Sequence, residues 1–443
     1  MKILAYDPSA CFCPRGNLPA DALSLLAASL EASRRQLLTA AEPEETTGQT
    51  THFSQGPRQL LHDYNTTRPT SVLYQLLRTA NRLRDLVDRV VIVSPTRPRL
   101  AVQALWQTCC DPFFNELSRG ERGSRPRIYF DGDHWDNDLA QGLLQLLRSP
   151  APGAMGAAHG GTDGAGAVER RWAVVAIDPT PASRQTTIST PLGPASSPLL
   201  AAVHRYREAL RRQCADDWPQ QAQRLVVVAP ANSALHAVTA DWTTAERYVL
   251  PEQHDEFESV FTVAGLLPAA ILGIDVVKLL HAAVALQEHF EWSPVGGNAV
   301  LDFVGMAELW RQQGWTAGHH WFATSPTLSA AREWAEQLLA ASGNDYAGAS
   351  GSSLRPTRTD PAGTQIVIER WRCDAVTVPE ETGAAVTLPQ LAQQADVAAC
   401  QTSLATGTPR AILKMPRMDE EGLGQFFQML LLIRAMRDVR SAS

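Results

Sequence analysis

The sequence predicts an α/β protein: two doubly wound parallel-sheet domains, residues 86–258 and 259–443, preceded by an N-terminal helical segment over residues 1–85. Three observations predict it. Val90-Val91-Ile92-Val93 is an unbroken β-branched run of the kind that forms a parallel strand buried on both faces. Runs like it alternate with segments whose apolar residues recur at helical spacing. A chain of 443 residues also exceeds one ordinary domain.

The elements follow in order. Ala20–Leu38 and Ser71–Leu86 are helical by periodicity, with a polar, turn-rich stretch from Glu42 to Gln55 between them. Strands are predicted at Arg89–Val93, Arg127–Phe130, Trp172–Ile177 and Leu225–Ala229. Helices are predicted at Leu100–Arg119, Asn137–Leu147 and Leu199–Cys214. Ser149–Ala167 is rich in Gly, Ala and Pro, has no periodicity, and reads as a flexible surface insert. A second α/β unit starts near Ser259. It comprises a helix over Ala269–Leu286, strands at Val300–Val304 and His320–Ala323, and a helix at Ser329–Ala341. A Gly/Ser-rich loop at Ser342–Ser353, a strand at Gln365–Ile368 and an amphipathic helix at Glu420–Arg437 complete it.

Apolar residues make up 44% of the chain and charged residues 19%, as in a globular protein with a large core. The net charge of −7 argues against nucleic acid and anionic membranes as main partners. The seven cysteines are odd in number and lack paired metal spacing, so no metal is expected; no cofactor is expected either. The N-terminus has no long apolar core of a signal peptide, and the longest apolar run, Val263–Ile274, is too short for a bilayer. A cytoplasmic protein without membrane association is expected.

One loop is out of keeping with this scaffold. Between the strand at Arg89–Val93 and the next helix sits Ser94-Pro95-Thr96-Arg97-Pro98. A strand-to-helix turn here is the usual place for an anion, because the helix N-terminus offers unsatisfied N–H groups. Such loops need glycine for close backbone approach. This one has none, and its two prolines each remove a donor.

Three segments carry a resemblance. Asn115-Glu116-Leu117-Ser118-Arg119-Gly120-Glu121-Arg122-Gly123 runs into Arg127-Ile128-Tyr129-Phe130-Asp131-Gly132. Asp136-Asn137-Asp138 precedes Gln141-Gly142-Leu143-Leu144, and Gly265-Leu266-Leu267-Pro268-Ala269-Ala270 ends in Gly273-Ile274-Asp275. In order and spacing these resemble the glucose-6-phosphate isomerase family, in its bacterial, planctomycete-like form. The resemblance reaches from the N-terminal helices to Pro416-Arg417-Met418-Asp419 and the last helix. It implies tandem sugar-isomerase (SIS) domains with flavodoxin-like sheets. It also implies the aldose–ketose interconversion of glucose 6-phosphate and fructose 6-phosphate in glycolysis and gluconeogenesis, in a cytoplasmic dimer.

That chemistry needs two phosphate loops, an acid/base for ring opening, a Glu base for proton transfer between C1 and C2, and an Arg for the enediolate. Aligned with the family, the first phosphate loop is Ser94–Pro98. The second is Asp178-Pro179-Thr180-Pro181-Ala182-Ser183-Arg184-Gln185-Thr186. Thr180, Ser183 and Thr186 keep hydroxyls there, the glycines are gone, Gln185 stands for a Glu, and Asp178 adds a charge that repels phosphate. The Arg motif falls on Asp255-Glu256-Phe257-Glu258-Ser259, with Phe257 at the Arg position. The Glu base falls on Ala341 and a following Lys on Asp345. The histidine motif resembles Thr359-Asp360-Pro361-Ala362-Gly363, with Ala362 for the His, and a final Lys motif does not appear after Met418-Asp419.

Glu336 lies five residues before Ala341 and so faces another side of the helix. Glu256 and Glu258 would oppose an anionic enediolate, and His254, His319 and His320 read as solvated or structural side chains. No catalytic residue is assigned. Thr180, Ser183 and Arg97 remain as substrate-phosphate candidates, Arg97 as a side-chain substitute for lost backbone donors. The expectation is a catalytically degenerate family protein that pairs with itself as a homodimer or with an active isomerase. Two alternatives stand beside it: an active isomerase with a divergent site, and a non-catalytic sugar-phosphate sensor.

Overall fold

The computed structural model describes residues 1–13, 17–41, 52–149, 168–180, 197–214, 222–242, 246–252, 255–315, 319–341, 362–379, 385–405 and 407–442. Ser183, Gln185, Thr186, His254, Asp345, nearly all of the expected insert at Ser149–Ala167, and the loop at Ser342–Ser353 lie outside these residues.

In chain order the elements are β1 (Ala5–Asp7), α1 (Ala22–Ala40), α2 (Gly56–Thr66), α3 (Val72–Leu86), β2 (Arg89–Val93), α4 (Thr96–Cys109), β3 (Arg127–Asp131), α5 (Asn137–Arg148), β4 (Trp172–Ile177), α6 (Pro198–Cys214), β5 (Leu225–Pro230), α7 (Ala234–Val238) and β6 (Glu246–Leu250). Then follow α8 (Val263–Leu272), α9 (Val276–Trp292), α10 (Ala299–Gln312), β7 (His320–Ala323), α11 (Ser329–Ala341), β8 (Gly363–Ile368), β9 (Thr377–Pro379), β10 (Ala385–Thr387), α12 (Leu388–Ala405), β11 (Arg410–Met415) and α13 (Glu420–Ala442).

The chain divides into two compact units. One holds residues 1–59, 107–109 and 277–443, and the other holds 60–106 and 110–276. The N-terminal helices are shared out accordingly. α1 packs on α10 and α13 in the first unit, and α3 packs on α8 in the second.

The second unit carries an all-parallel sheet in the order β3-β2-β4-β5-β6. Numbered from β2 this is the 2-1-3-4-5 order of doubly wound flavodoxin-like sheets. Every residue of β2, β4 and β5 is buried, which is why these strands read as continuous apolar runs. Their side chains form one core with α6, in which Trp172 meets Tyr206 edge-on at 6.1 Å.

The first unit carries a four-stranded sheet, β1-β11-β8-β7, parallel except for β1. Its core is aromatic. Phe303 stacks on Trp321 at 5.5 Å, Phe426 meets Trp321 edge-on at 5.4 Å, and Trp334 meets Phe427 at 4.8 Å.

Three of the expected elements take a different form, and several short elements, β1 and the central strand β11 among them, are not among those expected. Val300–Val304 is not a strand: it lies in α10, whose residues from Ala299 to Met306 are all buried. A run buried on every side loses its helical periodicity and looks like a strand. Asn298 starts this helix by accepting from the N–H groups of Val300 and Leu301. The helix expected over Ala269–Leu286 is two helices, broken at Gly273. That residue takes a left-handed φ of +78°, and Arg125 packs where a Cβ would stand. The helix expected over Leu100–Arg119 spans Thr96–Cys109, and turns follow it.

Candidate functional site

In the five-stranded sheet the chain leaves β2 toward β3 on one side and β4 toward β5 on the other. The crevice beyond the carboxyl ends of β2 and β4 is thus the topological switch point, where such sheets bind ligands. Ser94–Pro98 and Asp178–Thr180 both start there, directly after Val93 and Ile177.

The backbone donors at these strand ends are committed. Ser94 N–H donates to the Asp131 carbonyl at 2.9 Å, and Asp178 N–H to the Val228 carbonyl at 3.0 Å. α4 starts at Thr96 behind Pro95, with no side chain capping it, and Pro98 in its first turn has no N–H to offer.

The side chains are committed too. Thr96 Oγ1 donates to Asp133 Oδ2 at 3.0 Å, and Arg99 pairs with Asp133 Oδ1 at 2.6 Å. Arg97 Nη1 donates to Glu256 Oε2 at 3.2 Å, while Thr180 Oγ1 donates to Glu256 Oε1 at 3.2 Å. The Arg97 guanidinium also lies over the ring of Phe257, 5.4 Å from its centre. Buried Asp178 accepts from the Thr180 N–H at 3.1 Å. One carboxylate thus engages both described members of the expected phosphate set, Arg97 and Thr180. Asp133 and Glu256 pair with Arg99 and Arg97 at the crevice.

The turn that carries Glu256 is built locally. Asp255 Oδ1 accepts from the N–H groups of Phe257 and Glu258, both at 2.9 Å, and Glu258 Oε2 accepts back from Asp255 N–H at 3.1 Å. This reciprocal capping explains Asp255 and Glu258 without chemistry. It seats Phe257 in the core, 2% exposed, and sends Glu256 outward.

The other candidates are structural. Glu336 Oε1 accepts from Trp321 N–H at 3.1 Å and lies 3.6 Å from His320 Nδ1, while Arg332 Nε donates to the Trp321 carbonyl at 2.7 Å. Buried His319 sits 3.0 Å from Thr364 Oγ1, among Phe303, Trp310 and Trp321. Burial holds its pKa well below the ordinary value, with Arg437 adding to the shift, so the ring is neutral. Ala341 closes α11, and Ala362 is buried just before β8. Among the described residues, no group of three or more His, Cys, Asp or Glu side chains is placed to hold a metal ion.

The first of the three segments that carry the resemblance, 115–127, holds a buried clamp. Arg122 reaches Asp88 Oδ1 at 2.5 Å and Arg119 reaches it at 3.2 Å, while Arg127 pairs with Oδ2. The guanidinium groups also donate to backbone carbonyls, Arg119 to Val87 at 2.9 Å and Arg127 to Asn115 at 2.7 Å. Sequence reasoning missed the position of Glu256, because residues 97, 180 and 256 meet only once the parallel sheet has formed.

Fold and site together define a class: an α/β protein with a switch-point crevice of the kind used for phosphorylated ligands, here engaged by the chain's own carboxylate. Within that class, the chain resembles the glucose-6-phosphate isomerases in sequence and shares their fold. Curated glucose-6-phosphate isomerases from Streptococcus thermophilus are 24% identical over 325 residues, 73% of this chain and 64% of theirs. Those from Listeria monocytogenes are 20% identical over 280 residues, 63% of this chain and 54% of theirs. With the 45% matched in the Staphylococcus saprophyticus isomerase, the chain spans about half to two thirds of these relatives' length.

Among solved structures, a hypothetical protein from Thermus thermophilus superposes with a TM-score of 0.69 at 21% identity, covering 99% of this chain and 94% of that one. A glucose-6-phosphate isomerase from Chlamydia trachomatis gives 0.64 at 14% identity, covering 95% and 82%. No protein-family model matches the chain. No helix among the described residues is long and apolar enough to cross a membrane.

Proposed function

We propose that this chain keeps the scaffold of a glucose-6-phosphate isomerase without its catalysis, and that it acts through contacts with other protein chains, a second copy or an active isomerase. The observation that carries the reading is the Glu256 carboxylate shared between Arg97 and Thr180. It engages the two loops to which the resemblance assigns the substrate phosphate. The aligned positions add support. Phe257, Ala341 and Ala362 offer no group that ionises where the resemblance implies an Arg, a Glu base and a His. Losing a positioned base costs about 10²–10⁴-fold in rate, and losing an electrostatic stabiliser about 10²–10³-fold.

The test is a coupled assay with fructose 6-phosphate at high protein concentration. No turnover above background is expected. Turnover near 1 s⁻¹, about the low end for ordinary enzymes, overturns the proposal in favour of an active enzyme with a divergent site. The sensor alternative is read separately. Glucose 6-phosphate at millimolar concentration is expected to leave the Tm unchanged, and a rise would reveal a bound ligand.

A further inference from the structure

We propose that the pocket between α5 and the amino ends of β2 and β3 binds a small organic carboxylate, held by the buried guanidinium of Arg89. Arg89 and Arg127 are cross-strand partners where β2 and β3 begin, and Tyr129 lies two residues on, so the three share one face of the sheet. α5 covers that face, its Leu147 in one core with Val91 and Val93. With Gln145 and Leu146 of α5, the three side chains line a pocket of about 360 Å³. It lies within one unit, at the opposite end of the strands from the switch-point crevice.

Arg89 is the anomaly in this pocket. It is 1% exposed, and among the described residues no carboxylate pairs with it. Asp88, next to it in the chain, is engaged by Arg119, Arg122 and Arg127. Only Nη1 of Arg89 is used, donating to the carbonyls of Leu146, Leu147 and Ser149 at 2.9, 3.2 and 2.8 Å. Nε is buried without a partner, and Nη2 has none among the described residues. These two nitrogens share the guanidinium edge that grips a carboxylate with two parallel hydrogen bonds. Burial lowers the pKa of Arg89, yet a guanidinium stays charged in proteins. Buried charges are ordinarily paired, and here a ligand supplies the pair.

The rest of the pocket fits that ligand. The Tyr129 hydroxyl has no hydrogen-bond partner among the described residues, and burial raises its pKa above 10, so it donates as a neutral phenol. Arg127 is spent on Asp88 and on the carbonyls of Asn115 and Leu117. One free guanidinium edge matches a single carboxylate, whereas a phosphate dianion would call for further donors. Gly142, in the middle of α5, borders the same pocket, and a Cβ there would meet nothing within 4 Å. Glycine inside a helix is unfavourable relative to alanine; here the missing side chain leaves room for the ligand.

Thermal melts of the full chain in acetate or benzoate, against chloride at equal ionic strength, test this. At about 10 mM, at least one of the two should raise the Tm, and inorganic phosphate should raise it less. Arg89→Met should abolish the response. Because that change also removes the bonds to the end of α5, Gly142→Leu is the second probe: it places a side chain in open space and keeps Arg89. Gly142→Leu should weaken the apparent affinity about tenfold or more, and Tyr129→Phe about threefold. Arg97→Met, at the crevice, should leave it unchanged. No response to either carboxylate overturns the proposal, as does a response that survives in both Gly142→Leu and Tyr129→Phe. A response lost in Arg97→Met puts the ligand in the crevice instead, and one matched by phosphate refutes the carboxylate assignment. Turnover is not read here, so the catalytic reading stands or falls separately.

Discussion

Oε2 of Glu256 lies 3.2 Å from Nη1 of Arg97, an internal ion pair at the switch-point crevice of the five-stranded sheet. Arg97 is half-exposed, so the pair contributes no more than about 1 kcal/mol to stability. Its larger effect is on binding, since any anion must displace a carboxylate that is already in place.

Replacing Glu256 by Gln removes that charge while keeping the shape of the side chain. If the proposed reading holds, the variant should bind inorganic phosphate more tightly than the wild type, seen as a larger Tm rise with phosphate over chloride at equal ionic strength. Adding Arg97→Met should abolish the gain. If Glu256→Gln and wild type respond alike, the carboxylate is not what closes the crevice.

Asp88 pairs with Arg119, Arg122 and Arg127, and its side chain is fully buried. Asp88→Asn leaves buried guanidinium charge uncompensated and should cost about 3–5 kcal/mol. A lowered urea midpoint with an unchanged slope would show it. Arg119→Met, at the most exposed of the three, should cost distinctly less.

Asp302 and His319 give opposite pH slopes in one unit. Burial pushes the Asp302 carboxyl from 3.8 up to about 6, against the N–H groups of Gly296 and Asn298 that favour its charged form. The folded state therefore holds this proton more tightly. Its contribution is complete below about pH 4 and is lost as pH rises through about 6. His319 is lowered well below 6.5, so its contribution is present above that value and is lost as pH falls beneath it. Asp302→Asn should make acidification from about pH 7 to about pH 4.5 more destabilising, and His319→Gln less so. Urea midpoints across that range decide, and curves that merely shift in parallel would refute the assignment.

Gly273 separates α8 from α9 with a φ of +78°, and a Cβ there would collide with the Arg125 side chain. Gly273→Ala should cost more than the roughly 1 kcal/mol typical of a non-glycine residue in that conformation, because Arg125 must also move. Differential scanning calorimetry of the variant and of the double variant with Arg125→Ala separates the two contributions.

Much of the fold was legible from local pattern. β2, β4 and β5 announce themselves because burial on both faces forces unbroken apolar runs. α5 does so because Asp136 caps it, accepting from the N–H groups of Asp138 and Leu139. α10 reads as a strand because burial on every side erases the helical period. β1 escapes notice because it is three residues long and pairs with β11, some four hundred positions away. At the site, the missing glycines of Ser94–Pro98 are plain in the sequence. The partner that takes up Arg97 and Thr180 is not, since no local pattern links position 256 to positions 97 and 180.

The side chains that grip the outermost strands have a consequence for how copies of this chain meet. Asn115 donates from Nδ2 to the Ile128 carbonyl and accepts the Ile128 N–H through Oδ1, on β3 at one end of its sheet. Arg332 and Glu336 do the same for Trp321 on β7, at the end of the other. Peptide groups that could recruit a foreign strand are already satisfied from within at both places. Crowded copies are thereby denied two routes to a continuous ribbon of strands, the growth mode that turns reversible association into fibre.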